Sequence, residues 1–382
     1  MRAEVLIVGA GISGLLVSYL LAKEGIDVVQ VDSSQGPGRR PHCSGILGMD
    51  CWSLLPFRLE DWRLNNIREA TFISPKGSPK TIRGEIAIVV DRERMEEDLA
   101  SEVSSQGVKL SFGSKFLDIS GRKALIKTQS GRKEVEFSIA IGADGSRSTV
   151  AHLTFGRDLP LDFGVNIAVR SRIDESYVVR LRKGSYFSWI HPRGDLTYAG
   201  AVGPTPELAG AWAREEASRI GGEIVKVMCY PIPASIRSRF SSKNIAVLGD
   251  AAGQVKPLSR GGVFFSLVAA INLSREVVRS MERGCADLTA YDRRWWEMLG
   301  REVRIGYAVR AFLDNSSEEK IERLFSLINV ETFSKIFNTD GQAVSLLRSA
   351  SLGKLLLEAI SSPSTAVRSV VKFLIPWLDV GG

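Results

Sequence analysis

The segment Gly9-Ala10-Gly11-Ile12-Ser13-Gly14 most limits what this chain can fold into. The apolar run from Glu4 to Val8 precedes it and reads as a buried strand. An apolar stretch from Leu15 to about Lys23 follows and reads as a helix ended by Gly25. A second strand then runs from Asp27 to Val31 and stops at Asp32. The three glycines serve different ends. Gly9 permits the tight turn, Gly11 lets backbone approach a pyrophosphate, and Gly14 lets helix pack closely on strand. The helix start offers free N–H groups and the positive end of its dipole to phosphates. Asp32 is suited to accept hydrogen bonds from a ribose. The pattern predicts a Rossmann-like α/β unit for a dinucleotide.

This unit does not by itself separate NAD from FAD, and the rest of the chain bears on that choice. After Asp32 the strand–helix alternation stops. A Gly/Pro/Arg loop, Gly36 to Gly45, leads to strand-like patches near 70–73 and 86–90. Asp91-Arg92 opens a helix to about Gln106, and 107–110 reads as another strand. A strand beginning near Ile139 ends in Gly142-Ala-Asp144-Gly-Ser-Arg-Ser148. A later one ends in Gly249-Asp250-Ala-Ala-Gly253, followed by Pro257, Gly261-Gly262 and a long apolar helix from about 263 to 281. The order predicts two interleaved domains. Segments 1–50, 86–150 and 240–285 would form a discontinuous FAD-binding domain. Segments 51–85 and 151–239 would form a strand-rich α+β substrate domain, and 286–382 a helical C-terminal region.

Composition narrows the classes further. With 44% hydrophobic residues the chain has ample material for a core, which excludes disorder as its main state. Its histidines are His42, His152 and His191, which disfavours a histidine-rich metal centre. Cys43, Cys51, Cys229 and Cys285 lack C-x-x-C spacing, which disfavours a zinc ribbon or disulfide framework. The net charge of +7 is spread without a dense basic run, so nucleic acid is not an expected partner. A solvated basic surface accounts for it; an anionic substrate or membrane surface is the alternative. No apolar run reaches the roughly 18 residues of a membrane span, and the N-terminus lacks the layout of a signal peptide. A cytoplasmic protein with reduced cysteines is therefore expected. Near the C-terminus, Val367, Val370, Val371, Leu374, Ile375 and Leu378 recur at helical spacing, with Arg368 and Lys372 on another face. They read as a docked terminal helix or as one lying peripherally on the inner membrane face.

GAGISG with Asp32, the Asp91-Arg92 helix start, GADGSRS and GDAAG together resemble the flavoprotein superfamily of aromatic hydroxylases and related reductases. Within it, Arg40-Pro41-His42-Cys43-Ser44-Gly45 resembles the cysteine-glycine loop of geranylgeranyl reductases, and Phe187-Ser-Trp189-Ile-His191-Pro192 resembles that family's YxWxFP substrate motif. The chain departs from that motif at Phe187, at His191 and at Gly184, where the family often has proline. The resemblance implies FAD as cofactor. It implies that Gly9, Gly11, Gly14 and Asp32 hold the adenosine diphosphate half and that Arg92 lies near the pyrophosphate and ribityl chain. Asp250 would bond the ribityl hydroxyls, with Gly249 and Gly253 in the same turn. Pro257, Gly261 and Gly262 would run beside the isoalloxazine ring, and Asp144 would tie down the cofactor domain.

The implied reaction saturates isolated C=C bonds of geranylgeranyl chains in isoprenoid lipids or prenyl diphosphates. Reduced flavin gives a hydride to one carbon and a nearby acid protonates the other. Cys43 is the candidate acid, since a free thiol with a pKa of about 8.5 is mostly protonated at neutral pH; a packing role is its alternative. Phe187 and Trp189 would line an apolar tunnel, with His191 as a second acid or a rim residue. No second GxGxxG marks a nicotinamide site, so NAD(P)H and ferredoxin both stand as electron donors. An FAD-dependent monooxygenase, or a non-redox flavoprotein such as an isoprenoid cyclase, would share most of these anchors.

Overall fold

The computed structural model describes residues 2–39 and 43–349. Arg40, Pro41 and His42 lie outside the described residues, as does the amphipathic stretch from Val367 to Leu378.

Strand Arg2–Val8 is buried on successive residues from Val5 onward, as a strand covered on both faces must be. It pairs in parallel with Val28–Val31 on one side and with Gly131–Gly142 on the other. Ile245–Val247 and Lys109–Ser111 extend this sheet in parallel at its two ends. Lys115–Ser120 and Lys123–Thr128 add an antiparallel meander through Gly131–Gly142. Helices Ile12–Lys23, Arg92–Ser105 and Val263–Glu282 pack together beside this sheet. Their apolar side chains and those of the strands form the largest core of the molecule. Asp91 caps the second helix, accepting from the N–H groups of Glu93 and Arg94.

The second sheet also has eight strands. Its order runs Glu223–Pro233, Leu161–Arg170, Leu196–Gly203, Phe187–Arg193, Ser176–Leu181, Arg63–Ile73, Pro79–Val90 and Ile46–Gly48. Helix Pro206–Ile220 covers part of one face, fixed by the buried Glu216. That carboxylate accepts from Arg180, Arg182 and Ser188 of neighbouring strands.

The α/β fold with a strand-rich companion sheet matches the expectation, but the crossing points between sheets differ. Ile86–Val90 ends one continuous twelve-residue strand, Pro79–Val90, paired with Arg63–Ile73. Ile46–Gly48 pairs antiparallel with Ala87–Val89. Both segments therefore belong to the second sheet, and the chain changes sheets near 45 and after Val90. Within the described part of the expected C-terminal region, 286–349, the chain forms helices that pack on both sheets. Tyr291, Trp295, Leu299 and Val303 of helix Thr289–Asp314 enter the large core. Phe333 packs on Ala70 and Ile82 of the second sheet. Among the described residues, no helix is long and apolar enough to cross a membrane.

Candidate active site

A cavity of about 610 Å³ opens between the two sheets. That volume is typical of cofactor and ligand sites, which run roughly 300–1,000 Å³. One end is built by the glycine turn. Gly9 has a φ of +106°, and a Cβ there would fall 2.2 Å from the Ala143 carbonyl oxygen. A Cβ on Gly14 would fall 2.1 Å from the Gly9 carbonyl oxygen. Both positions are closed to any side chain by backbone. Gly11 differs: a Cβ there meets nothing within 4 Å and would enter the cavity. The helix that starts at Ile12 has no side-chain cap, so its first N–H groups stay available to an anion.

Asp32 stands at the end of the second strand and lines the same end. One carboxylate oxygen accepts from Ala10 N–H at 2.7 Å, and the other from Ser34 N–H at 2.6 Å. Asp32 thus shapes the turn while facing the space where a ribose would sit. Arg92 is buried, bonded to Glu96, and its Nε has no partner among the described residues. Asp250 lines the cavity, and no described residue donates a hydrogen bond to its carboxylate. Burial pushes its pKa up to about 6, with the Arg92 charge pulling the other way. An uncapped helix start, an orphaned guanidinium nitrogen and an orphaned carboxylate match what FAD offers: a pyrophosphate and a hydroxylated ribityl chain. The residues fit the cofactor.

Gly261 and Gly262 line the cavity and lead into helix Val263–Glu282. Between Pro257 and these glycines, Arg260 is buried with a φ of +59°, uncommon for a residue with a side chain. Its guanidinium bonds Asp162, the Ser185 carbonyl and the Ser185 hydroxyl, tying the loop to the second sheet.

Cys43 lines the cavity, and its Sγ accepts from Gly45 N–H at 3.4 Å. Arg92 and Tyr230 line the cavity with it. The lining also has an apolar part made by Tyr177, Phe187, Trp189, Val202, Ile232 and Phe264. Phe187 and Trp189 lie on one face of their strand with ring centroids 5.5 Å apart. Gly200 on the neighbouring strand makes room for the indole, since a Cβ there would fall 2.3 Å from it. Ser188 points to the opposite face, into the Glu216 cluster.

Several expected site residues lie elsewhere. His191 continues the face of Phe187 and Trp189 but is fully buried away from the cavity, between Tyr177 and Tyr198. One ring nitrogen meets the Pro192 carbonyl at 2.8 Å, and burial pushes its pKa down to about 4. Its other ring nitrogen is buried without a partner among the described residues, and the ring is not part of the cavity lining. Pro257 turns from the cavity and packs toward Gly306 of helix Thr289–Asp314. Gly249 and Gly253 shape the GDAAG turn with φ of +65° and +73°, behind the wall that Asp250 lines. Asp144 reaches the cavity edge, but its carboxylate accepts from Ser148 and Val150 N–H, organising the next helix.

The cavity also holds residues that the motifs do not mark. Tyr230 belongs to the edge strand Glu223–Pro233, and burial pushes its phenol pKa up. Cys51 is buried with its thiol pKa raised first by burial and then by Asp340. Lys256 sits between two recognised glycine turns, where its position gave a signal. Asp340 comes from the C-terminal helices and carried none.

The chain matches a model described as an NAD(P)-binding Rossmann-like domain over residues 7–43. It is 25% identical to a digeranylgeranylglycerophospholipid reductase of Methanothrix thermoacetophila, over 88% of this chain and 94% of that one. A geranylgeranyl bacteriochlorophyll reductase-like structure from Thermoplasma acidophilum superposes with a TM-score of 0.80 at 15% identity, covering 98% of this chain and 99% of that one. In sequence and fold the chain is thus similar to geranylgeranyl reductases, at identities of 25% and below. This flavoprotein also shares its fold with PqsL, a probable FAD-dependent monooxygenase from Pseudomonas aeruginosa, at a TM-score of 0.67 and 18% identity, over 85% of this chain and all of that one.

Proposed function

We propose that this flavoprotein saturates isolated C=C bonds in geranylgeranyl chains of isoprenoid lipids. The observation that carries the reading is a single cavity with two chemistries. The polar glycine turn, Asp32, Arg92 and Asp250 share its lining with the aromatic side chains of Tyr177, Phe187 and Trp189 and with Cys43. Bound and reduced, FAD supplies a hydride to one alkene carbon.

The protein's own residues do the rest. The apolar wall excludes water and holds the chain by area, since an isolated alkene offers no polar handle. Trp189 and Phe187 form the surface along which it lies. Cys43 holds a proton at Sγ and delivers it to the second alkene carbon, the Gly45 N–H orienting the sulfur. His191 takes no part, being buried outside the cavity.

The test is anaerobic incubation of the dithionite-reduced, FAD-loaded protein with a geranylgeranyl glycerophospholipid, read by mass spectrometry. Stepwise gain of two hydrogens per double bond is expected. An unchanged lipid, or product formed only with oxygen consumption, would overturn the reading in favour of a monooxygenase. Parallel runs with NAD(P)H and with reduced ferredoxin identify the donor. Vesicle flotation tests peripheral membrane contact.

A further inference from the structure

Two buried charges in the cavity wall, Lys256 and Asp340, have no role in the proposed reduction. Lys256 is 7% exposed and Asp340 2% exposed. The Lys256 ammonium donates to the Thr339 carbonyl at 2.8 Å and to an Asp340 carboxylate oxygen at 3.3 Å. The other Asp340 oxygen accepts from Cys51 N–H at 2.9 Å. Gly48 makes this possible, because a Cβ there would fall 2.2 Å from that oxygen.

The segment carrying Asp340 is held independently of the pair. Asn338 donates to Asp50 and accepts from the N–H groups of Asp340 and Gly341. Thr339 donates to the Ile86 carbonyl. Glu302 accepts from the N–H groups of Ala343 and Val344. Asp340 therefore reaches the cavity on a fixed turn, and its carboxylate faces the one lysine of the loop that passes Arg260, Gly261 and Gly262.

A cation enclosed in this cavity favours the more negative redox state of whatever sits there, and a carboxylate within ion-pair distance offsets it. We propose that Lys256 and Asp340 set the relative affinity of the cavity for reduced over oxidised FAD. Lys256 favours the reduced cofactor and Asp340 limits that preference. Both are positioning residues, and the proposal rests on FAD occupying this cavity.

The experiment measures midpoint potentials of the full-length, FAD-loaded protein at pH 6.5 by dye equilibration. K256M is expected to lose about tenfold in preference for reduced FAD, a shift of about 30 mV to lower potential for a two-electron couple. D340N is expected to shift by a similar amount to higher potential. The K256M/D340N double variant should return near the original value, and K256R should stay there. Shifts of the same sign in both single variants, no shift in either, or a K256R shift as large as that of K256M overturns the proposal. Where a variant holds FAD weakly, titration of oxidised and reduced FAD reads the same ratio, and equal weakening of both states also overturns it. No prenyl substrate enters this measurement, so its failure leaves the lipid reading intact. Normal potentials in a protein that leaves prenyl lipids unsaturated would instead count against the lipid reading alone.

Discussion

Substitution at the three motif glycines should separate folding from cofactor binding. At Gly14 an added Cβ would lie 2.1 Å from the Gly9 carbonyl oxygen, against an ordinary contact of more than 3 Å. Helix Ile12–Lys23 and strand Arg2–Val8 would have to part by on the order of 1 Å, a strain of about 1–3 kcal/mol or more. Gly14→Ala should therefore lower the melting temperature of the apoprotein. At Gly11 the backbone is extended, with φ of −74° and ψ of 179°, which valine accepts, and its Cβ meets nothing. Gly11→Val should leave the apoprotein's melting point within a few degrees of the original. It should nonetheless push a pyrophosphate off the helix start. Two charge-assisted hydrogen bonds, at about 1.5–3 kcal/mol each, would be lost. That sum corresponds to roughly 10²–10⁴ in FAD affinity, at 1.4 kcal/mol per tenfold. Fluorescence titration of apoprotein with FAD reads the affinity, and differential scanning fluorimetry reads the fold. A yellow, stoichiometrically loaded Gly11→Val protein would refute the assignment of the turn. A Gly11→Val apoprotein that melts as early as Gly14→Ala would refute the argument that its Cβ has open space.

Other expectations follow from the same geometry. Cys43→Ala should retain FAD and its potential while losing most prenyl reduction, and unchanged turnover in single-turnover assays would reduce Cys43 to a packing role. Asp250 has a folded pKa raised to about 6 by burial, so in the apoprotein its carboxyl stays neutral below about pH 6 and becomes charged only as pH rises through 6. Ribityl hydroxyls donating to the carboxylate favour the charged form, so FAD affinity should climb between about pH 4 and 6, and Asp250→Asn should flatten the climb; an equally steep profile in the variant would contradict this. His191 has its folded pKa lowered to about 4, below the unfolded value near 6.5. Its contribution is therefore complete above about pH 6.5 and lost as pH falls toward 4, on the order of 3 kcal/mol. Urea melts of His191→Gln should show a shallower loss over that window, and an identical slope would contradict the burial argument. Glu216→Ala would remove the carboxylate that Arg180, Arg182 and Ser188 share, leaving Arg182 its pair with Glu215, and should cost about 3 kcal/mol in chemical denaturation.

Local constraints were legible in the sequence, and long-range ones were not. Gly9, Gly11, Gly14 and Asp32 fall within one strand–helix–strand unit, so their spacing alone fixes what each must do. Asp91 announced a helix start because capping is a matter of two or three residues. The motif Phe187-Ser-Trp189 placed two rings on one face of a strand, and the structure adds His191 to that face. Alternation cannot say how far along that face the cavity extends, and it ends before His191. The sheet crossings near 45 and 90 escaped for a related reason. Ile86–Val90 is apolar enough for either sheet, and only pairing with Arg63–Ile73 and Ile46–Gly48 assigns it.

Asp340 marks the other limit, and it bears on how the cavity is made. Nothing in Asn338-Thr339-Asp340-Gly341 looks different from an ordinary polar turn between helices. Its meaning depends on Gly48 leaving space for a carboxylate, on Cys51 offering an N–H, and on Lys256 supplying a cation. Those three partners lie some 290 and 84 residues away, in segments that only the tertiary fold brings together. The helical C-terminal region is thus a wall of the cofactor cavity rather than an appendage to it. Removing residues from 338 onward should therefore weaken FAD binding even though every motif glycine remains. Titration of FAD into a chain ending at Phe337, with folding monitored by circular dichroism, tests this. Undiminished affinity in that folded, shortened chain would show that the cavity forms without Asp340 and the turn that carries it.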